Sequence, residues 1–436
     1  MSQNRIVTAI DVGTDKCVSL IASIEETTQT LRVMGVSAVP SRGMKRSQII
    51  DLEKVLETIT ESLDGAERMA GLDVKSAYVS ISGTHVSSQN SKGVVAVASP
   101  NKEIIPEDVE RVIEAARAVS LSSDREIIHV IPKDFRVDSQ TGIKDPIGMT
   151  GVRLESEAHI ITGLSTSLRN MEKCINDLGL NVDAFIFSGL ASASVVISET
   201  EKELGVAVVD IGAGSTSLCV YVDGSLEYSA SLPVGARHIT QDIALGCKIS
   251  LDTAEKLKIA LSKEAFKPLS PIAGESKQDF SQRKKKADQL KLSDFDSSST
   301  ETETLSKMEV VEKIMLPRMQ EIFSLIGDHL KKENLFPLIP AGIVITGGGA
   351  ETTKIVEVAK RELNLSARIG KPIELEGLTS DIKKPGFATS IGLLQYGKKE
   401  GGGTIARSFK FGSIFKGFSL GSFTKMFSKL FKSLMP

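Results

Sequence analysis

Apolar positions along the chain switch between two periods, and the switches mark out its elements. Residues 6–10 (Ile-Val-Thr-Ala-Ile) and 206–209 (Val-Ala-Val-Val) are apolar runs of strand length. Each leads through a glycine-bearing turn into a second β-rich run, 17–22 and 217–222. The spacing therefore predicts two hairpins rather than two strand-to-helix loops. Further strands are predicted over 31–36, 76–81, 93–98, 126–131 and 159–163, the last as a return to the first domain. Another runs from Gly342 into a triple-glycine turn. Helical periodicity covers 52–69, 165–178, 240–245, 250–261 and 353–363, and a helix leads from 188 through 198. Pro106-Glu107-Asp108 opens another helix, carrying Val109, Val112, Ile113, Ala116 and Val119. A long helix is predicted over 308–330, with Pro317 kinking it. The alternation defines an α/β protein, and residues 83–157 read as a small α+β insertion. Residues 263–308 break the pattern. They are polar, hold Arg283-Lys284-Lys285-Lys286 and a Ser/Thr/Glu run, and are expected to form a mobile insertion.

The last pattern is at the C-terminus. Phe423, Met426, Phe427, Leu430, Phe431 and Leu434 fall at i, i+3, i+4, i+7, i+8 and i+11, one apolar helical stripe, with Lys425, Lys429 and Lys432 opposite it. Gly401-Gly402-Gly403 precedes this segment as a flexible linker. No acidic residue follows Glu400. The segment predicts an amphipathic helix lying in the headgroup plane of an anionic membrane, rather than a last core helix. Phe411, Ile414, Phe415 and Phe418 repeat the spacing, weakened as a helix by Gly412, Gly417 and Gly421.

The two hairpin turns carry the candidate chemistry. They read Asp11-Val12-Gly13-Thr14-Asp15-Lys16 and Asp210-Ile211-Gly212-Ala213-Gly214-Ser215-Thr216. Neither opens a helix, so neither is a P-loop or a dinucleotide fingerprint. Gly13, Gly212 and Gly214 let backbone N–H groups approach phosphate oxygens. Thr14, Ser215 and Thr216 offer hydroxyls and Lys16 a charge. Asp11 and Asp210 would repel phosphate, so as a pair they suit a hydrated Mg²⁺; singly, each could be an Asx cap of its turn. Gly347-Gly348-Gly349 would let a flat adenosine lie against bare backbone. The three turns in this order resemble the actin, heat-shock-chaperone and sugar-kinase superfamily, which grips ATP and Mg²⁺ between two lobes.

Composition narrows the picture little. The chain has 436 residues, 41% hydrophobic and 25% charged, with net charge −2. That length exceeds one simple core, and the charge gives no field for nucleic acid. Cys17, Cys174, Cys219 and Cys247 are scattered without metal-ligand spacing, which argues for buried thiols in a reducing compartment. Residues 1–5 run straight into a strand with no signal-peptide pattern, and no run of eighteen apolar residues occurs. A cytoplasmic protein that does not span a membrane is expected. Phenylalanine is uneven: seven of 16 lie after Arg407, which fits the tail.

Several longer motifs are similar to those of the FtsA family of bacterial cell-division proteins. They are residues 134–138 (Asp-Phe-Arg-Val-Asp), 142–149, 153–155, 159–163, 188–192 (Ser-Gly-Leu-Ala-Ser), 235–244 and Leu316-Pro317-Arg318, together with the amphipathic end. The match covers nearly all of residues 5–396 plus the tail. It implies an actin-like two-lobed fold with an inserted α+β subdomain of 1C type and a C-terminal amphipathic helix. The implied division is 1–82, 161–198 and 375–398 for subdomain 1A; 83–160 for 1C; 199–236 and 309–374 for 2A; 237–308 for 2B, with the polar insertion 264–308; and 399–436 for linker and tail.

The resemblance also implies ATP and Mg²⁺ as ligands, self-association into filaments, and tethering of FtsZ filaments at the division septum, on the cytoplasmic side of the membrane. Other division proteins could meet subdomain 1C. Glu255 and Lys258, three apart on one helix, fit a surface ion pair of ~0.2–0.5 kcal/mol as well as a helix edge on ribose and base; the resemblance favours the second. Arg318 is the candidate contact for the acidic C-terminal peptide of FtsZ. Faster relatives would carry a water-activating acid near residues 188–189, where Ser188 and Gly189 stand, so at most slow ATP turnover is expected. A pilus-assembly homologue of the PilM type is the nearest alternative, and the tail argues against it. A sugar kinase lacks its catalytic acid here, and a chaperone its β-rich substrate domain.

Overall fold

The computed structural model describes residues 5–400 apart from 26, 100, 264–269, 273–274, 296–303 and 378–381. The tail residues Phe423, Lys425, Met426, Phe427, Lys429, Leu430, Phe431, Lys432 and Leu434 lie outside the described residues.

Two sheets repeat one plan. In the first lobe the strand Arg5–Val12 pairs antiparallel with Lys16–Ile24, which pairs with Leu31–Pro40. On its other side it runs parallel to Ser76–Ile81, followed by Asn181–Phe187, and Glu376–Gly377 extends the far edge. In the second lobe Val206–Ile211 pairs antiparallel with Thr216–Val222, which pairs with Ser225–Leu232; its other neighbour is the parallel strand Ile343–Thr346, then Ala367–Ile369. In both, the hairpin's first strand is central and buried on both faces, which is why it reads as a continuous apolar run. Each hairpin turn thus leaves the middle of its sheet.

Helices cover the sheets with the expected faces. Leu52–Ala70 buries Val55, Ile59, Leu63 and Ala66; its N-terminus is capped by Asp51, whose carboxylate accepts from the Lys54 N–H, and it ends at Gly71 in the left-handed region. Two helices join the lobes. Ser188–Val196 packs against strands of both sheets. Ala388–Glu400 crosses it so closely that a Cβ on Gly392 would lie 2.0 Å from the Ala191 carbonyl oxygen.

The segment between Ile81 and Ser165 builds a separate four-stranded sheet, ordered Ser87–Ala96, Arg153–Leu164, Arg125–Val137, Gln140–Ile143. The helix Pro106–Arg117 lies across it over a small core of Ile104, Val109, Val112, Phe135, Val137, Ile143 and Leu154. Residues 159–163 do not join the first lobe's sheet as a returning strand. They continue Arg153–Leu164, paired on both sides within the inserted sheet.

Two other expectations change. The polar stretch after Lys263 is not structureless. Among its described residues are the helix Lys277–Asp288, capped by Ser276, and a two-stranded ribbon, Gln289–Lys291 with Thr304–Ser306. Leu290 and Leu292 are buried, and this apolar pair anchors an otherwise polar segment. Around Pro317, where a kink is expected, the helix changes winding. A π-helical segment, Val310–Met315, runs without a break into the α-helix Leu316–Lys332, and this local widening of the turn just before it makes room for a proline that has no N–H to give to the preceding turn.

Candidate functional site

The two hairpin turns are built alike. In the first, the Gly13 N–H donates to the Lys16 carbonyl at 3.0 Å; in the second, the Gly212 N–H donates to the Ser215 carbonyl, also at 3.0 Å. A Cβ on Gly13 or Gly212 would fall 2.8 or 2.9 Å from that same carbonyl oxygen, so glycine is what lets each chain turn this tightly. The tips touch across the lobes. A Cβ on Gly214 would lie 2.6 Å from Thr14 Oγ1.

Beneath the tips lie the carboxylates. Asp210 is buried, and Oδ2 accepts from Thr389 Oγ1 at 3.0 Å, with Ser192 also within hydrogen-bonding reach. Asp11 is half-buried, and Oδ1 accepts from Ser80 Oγ at 2.7 Å. Burial pushes both pKa values up, Asp210 to about 6, and the Asp11 charge raises Asp210 further. The buried Ser390 hydroxyl stands near Asp11, close enough to lower its pKa, but makes no hydrogen bond of normal geometry. Two neighbouring carboxylates with pKa values pushed up by burial, beside an unsatisfied hydroxyl, form a donor set suited to a hydrated divalent cation.

Lys16 supplies the nearby positive charge. Its Nζ sits 3.6 Å from the centre of the Phe387 ring. Burial lowers its pKa, and Asp11 opposes that shift. The turn Pro385–Phe387 also touches the triple-glycine segment, where the Gly347 N–H donates to the Pro385 carbonyl at 3.3 Å. The three glycines have different reasons. Gly347, at φ +81°, would place a Cβ 2.3 Å from Asp210 Oδ1, and Gly349 one 2.4 Å from Ile211 Cγ2. At Gly348 a Cβ would meet nothing within 4 Å, so only there does the missing side chain leave a bare, open surface.

Glu255 and Lys258 lie on the helix Leu251–Lys263, next to the second turn. Lys258 Nζ donates to Glu255 Oε2 at 2.8 Å and to Thr240 Oγ1 at 3.0 Å, and Thr240 in turn donates to Glu255. Thr240 belongs to Ala236–Cys247, whose first N–H groups donate to the Gly212 and Ala213 carbonyls. Further along, Ser262 Oγ accepts from the Thr353 N–H at 3.3 Å, just beyond the triple-glycine segment. One helix therefore spans from the phosphate-type turn to the glycine turn. Lys258 is buried in its pair, and Glu255 keeps the more accessible edge.

Two expected site residues stand differently. Thr216 is fully buried and its Oγ1 donates to the Val234 carbonyl at 2.7 Å, so its hydroxyl is committed to the sheet and offers nothing to a ligand. Arg318 is no free cation: Nε and Nη2 form a fork onto Asp242 and Nη1 reaches Glu321. It borders a cleft of about 240 Å³ lined also by Lys313, Ile314 and Pro317.

Several site residues escaped the sequence: Ser80, Ser192, Thr389, Ser390 and Phe387, and a short hairpin, Met44–Lys45 with Gln48–Ile49. Its loop residues Arg46 and Ser47 hold φ +49° and +60°, a left-handed pair that costs about 1–2 kcal/mol per non-glycine residue. The Ser47 N–H donates to Thr14 Oγ1 at 2.9 Å, and its Oγ lies 2.7 Å from Ser215 Oγ. A Cβ on Gly214 would lie 2.8 Å from the Arg46 Cα. Small hydroxyl residues opening a helix after Pro385-Gly386 were the available signal for Thr389 and Ser390. Nothing local marked Arg46-Ser47.

Two similar sheets joined by crossing helices, with paired hairpin turns between them, define an actin-like protein. Solved structures agree in fold. The PilM–PilN type IV pilus biogenesis complex aligns with TM-score 0.60 at 14% identity over 90% of this chain and 98% of that one. MreB5 of Spiroplasma citri bound to AMPPNP aligns with TM-score 0.51 at 15% identity over 91% and 96%. Sequence goes further. Residues 207–392 match the model for cell division protein FtsA, and residues 83–162 that for the SHS2 domain inserted in FtsA. Cell division protein FtsA of Pseudomonas aeruginosa is 36% identical over 402 residues, 91% of this chain and 90% of the relative. That of Borreliella burgdorferi is 38% identical over 396 residues, 91% of each. That of Bacillus subtilis is 33% identical over 404 residues, 91% and 84%. The chain belongs to the FtsA family of cell-division proteins.

Proposed function

We propose that this chain binds Mg-ATP between its lobes, assembles into actin-like filaments on the inner face of the cytoplasmic membrane, and tethers FtsZ filaments at the division site. The observation that carries the nucleotide reading is the contact of the two turn tips above the Asp11 and Asp210 carboxylates. Gly13, Thr14, Lys16, Gly212, Gly214 and Ser215 would hold phosphates, and Asp11 and Asp210 the waters of Mg²⁺. Gly347, Gly348 and Gly349, with Glu255 and Lys258, would hold the nucleoside. The metal would neutralise phosphate charge beside the carboxylates. The solved MreB5 structure carries AMPPNP on the same fold. Turnover should be slow, because the helix opening at Ser188 has no acidic residue in its first turn. Ser188 Oγ lies 3.0 Å from Ser217 Oγ, with no base supplied by that pair.

The subdomain division given from sequence is part of this reading, except that subdomain 1C runs on through the strand Arg153–Leu164 instead of ending at residue 160. The cleft at Arg318 and Lys313 is the proposed seat of the acidic FtsZ peptide, whose carboxylates would compete with Asp242 and Glu321 for the arginine. The tail supplies the membrane contact.

Purified protein tests the core of this. Mg-ATP should bind saturably, Asp210→Asn should weaken Mg-dependent binding at least tenfold, and turnover should stay far below one per second. Saturable binding insensitive to both Mg²⁺ and Asp210→Asn would overturn the site.

A further inference from the structure

The Met44–Ile49 hairpin has no place in the two-turn description, yet it touches both turns. Ser47 bonds Thr14 of the first and Ser215 of the second, and the Arg46 backbone lies against Gly214. Both loop residues are held left-handed, the geometry of a two-residue turn that favours Asn-Gly, yet Arg and Ser stand there. A strained pair lodged where two binding loops meet points to a role in the site. The Arg46 side chain is exposed and forms no ion pair among the described residues. Lys16, by contrast, is stacked on Phe387 and sits in the field of Asp11.

We propose that this hairpin is a third phosphate-binding element, in which Ser47 ties the two turns together and Arg46 supplies a guanidinium fork for the terminal phosphate of a nucleoside triphosphate. The inference rests on the nucleotide reading above and extends it to selectivity. A diphosphate lacks the group the fork would meet, so Arg46 favours triphosphate over diphosphate. A planar guanidinium can engage two phosphate oxygens at once, and such charge-assisted pairs are among the stronger polar contacts.

The test is calorimetric binding of Mg-ATP and Mg-ADP to the full chain and to two variants, with melting temperatures measured without nucleotide. Arg46→Asn keeps a residue that tolerates the left-handed region. The double variant Arg46→Asn, Ser47→Gly installs the preferred turn and should melt no lower than the parent. Both should lose about tenfold in ATP affinity, with ADP affinity changed less than about threefold for Arg46→Asn. An unchanged ratio of ATP to ADP affinity in Arg46→Asn, whether both fall or neither does, overturns the inference and leaves the nucleotide reading standing. Absence of nucleotide binding by the parent chain overturns both.

Discussion

Gly214 shows what a single residue decides. Its missing side chain is where Thr14 Oγ1 and the Arg46 backbone come in, at 2.6 and 2.8 Å from a would-be Cβ. The backbone of Arg46 cannot swing aside as a flexible side chain would. Gly214→Ala should therefore push the turns apart, at a cost of about 1–3 kcal/mol. A melting temperature several degrees below the parent, with nucleotide affinity reduced more than tenfold, is expected from thermal denaturation and calorimetry. Gly348→Ala makes the matched comparison. Its Cβ meets nothing, so the fold should be unaffected and only a ligand lying on that surface would sense the methyl.

At the scale of elements, the inserted sheet is joined to the edge strand Ser225–Leu232 of the second lobe largely through polar groups. Ser88 Oγ donates to the Ser229 carbonyl at 2.7 Å, Lys133 pairs with Glu227, and the buried His159 lies between Asn90 Oδ1 at 2.7 Å and Ser229 Oγ at 2.8 Å. Burial pulls the His159 pKa down to about 4, with Lys133 adding to the effect, and pulls His85 to about 4 and His129 to about 3. A histidine whose folded pKa lies below its unfolded value binds fewer protons when folded. Stability is then full above about pH 6.5 and is lost as the pH falls toward 4. For His159 the loss is on the order of 3 kcal/mol at the acid end. His159→Gln, whose amide can stand in for Nε2 toward Ser229 but cannot charge, should flatten the decline of melting temperature between pH 6.5 and 4.5. An unchanged slope would mean that the interface opens before the ring is protonated.

The whole molecule is proposed to couple assembly to membrane attachment. A buried Phe or Leu gains roughly 1.5–3 kcal/mol, less at an interface, and each Lys near an anionic leaflet adds about 1 kcal/mol. Ordering a free tail costs about 1–2 kcal/mol per residue in backbone entropy, partly returned by helix hydrogen bonds. One tail would then bind reversibly, and a filament presenting many would bind firmly by avidity. Phe427→Glu should release the protein from anionic liposomes in co-sedimentation while leaving ATP binding intact. Retention on the vesicles would show that the tail docks on protein instead.

The sequence by itself determined the hairpins, their order and most helices, because apolar periodicity and glycine placement are local properties of the chain. The mirrored turns could be read in outline from Asp11 to Lys16 and from Asp210 to Ser215. Partner geometry could not. That Thr216 turns into the sheet, that Arg318 is held by Asp242 and Glu321, and that residues 159–163 stay in the inserted sheet depend on neighbours distant in the chain. The same holds for Ser80, Thr389 and the Arg46-Ser47 loop, ordinary residues until packing carries them to one point. Local pattern fixes which face of an element is buried, whereas only the closed packing of two lobes fixes what that face meets.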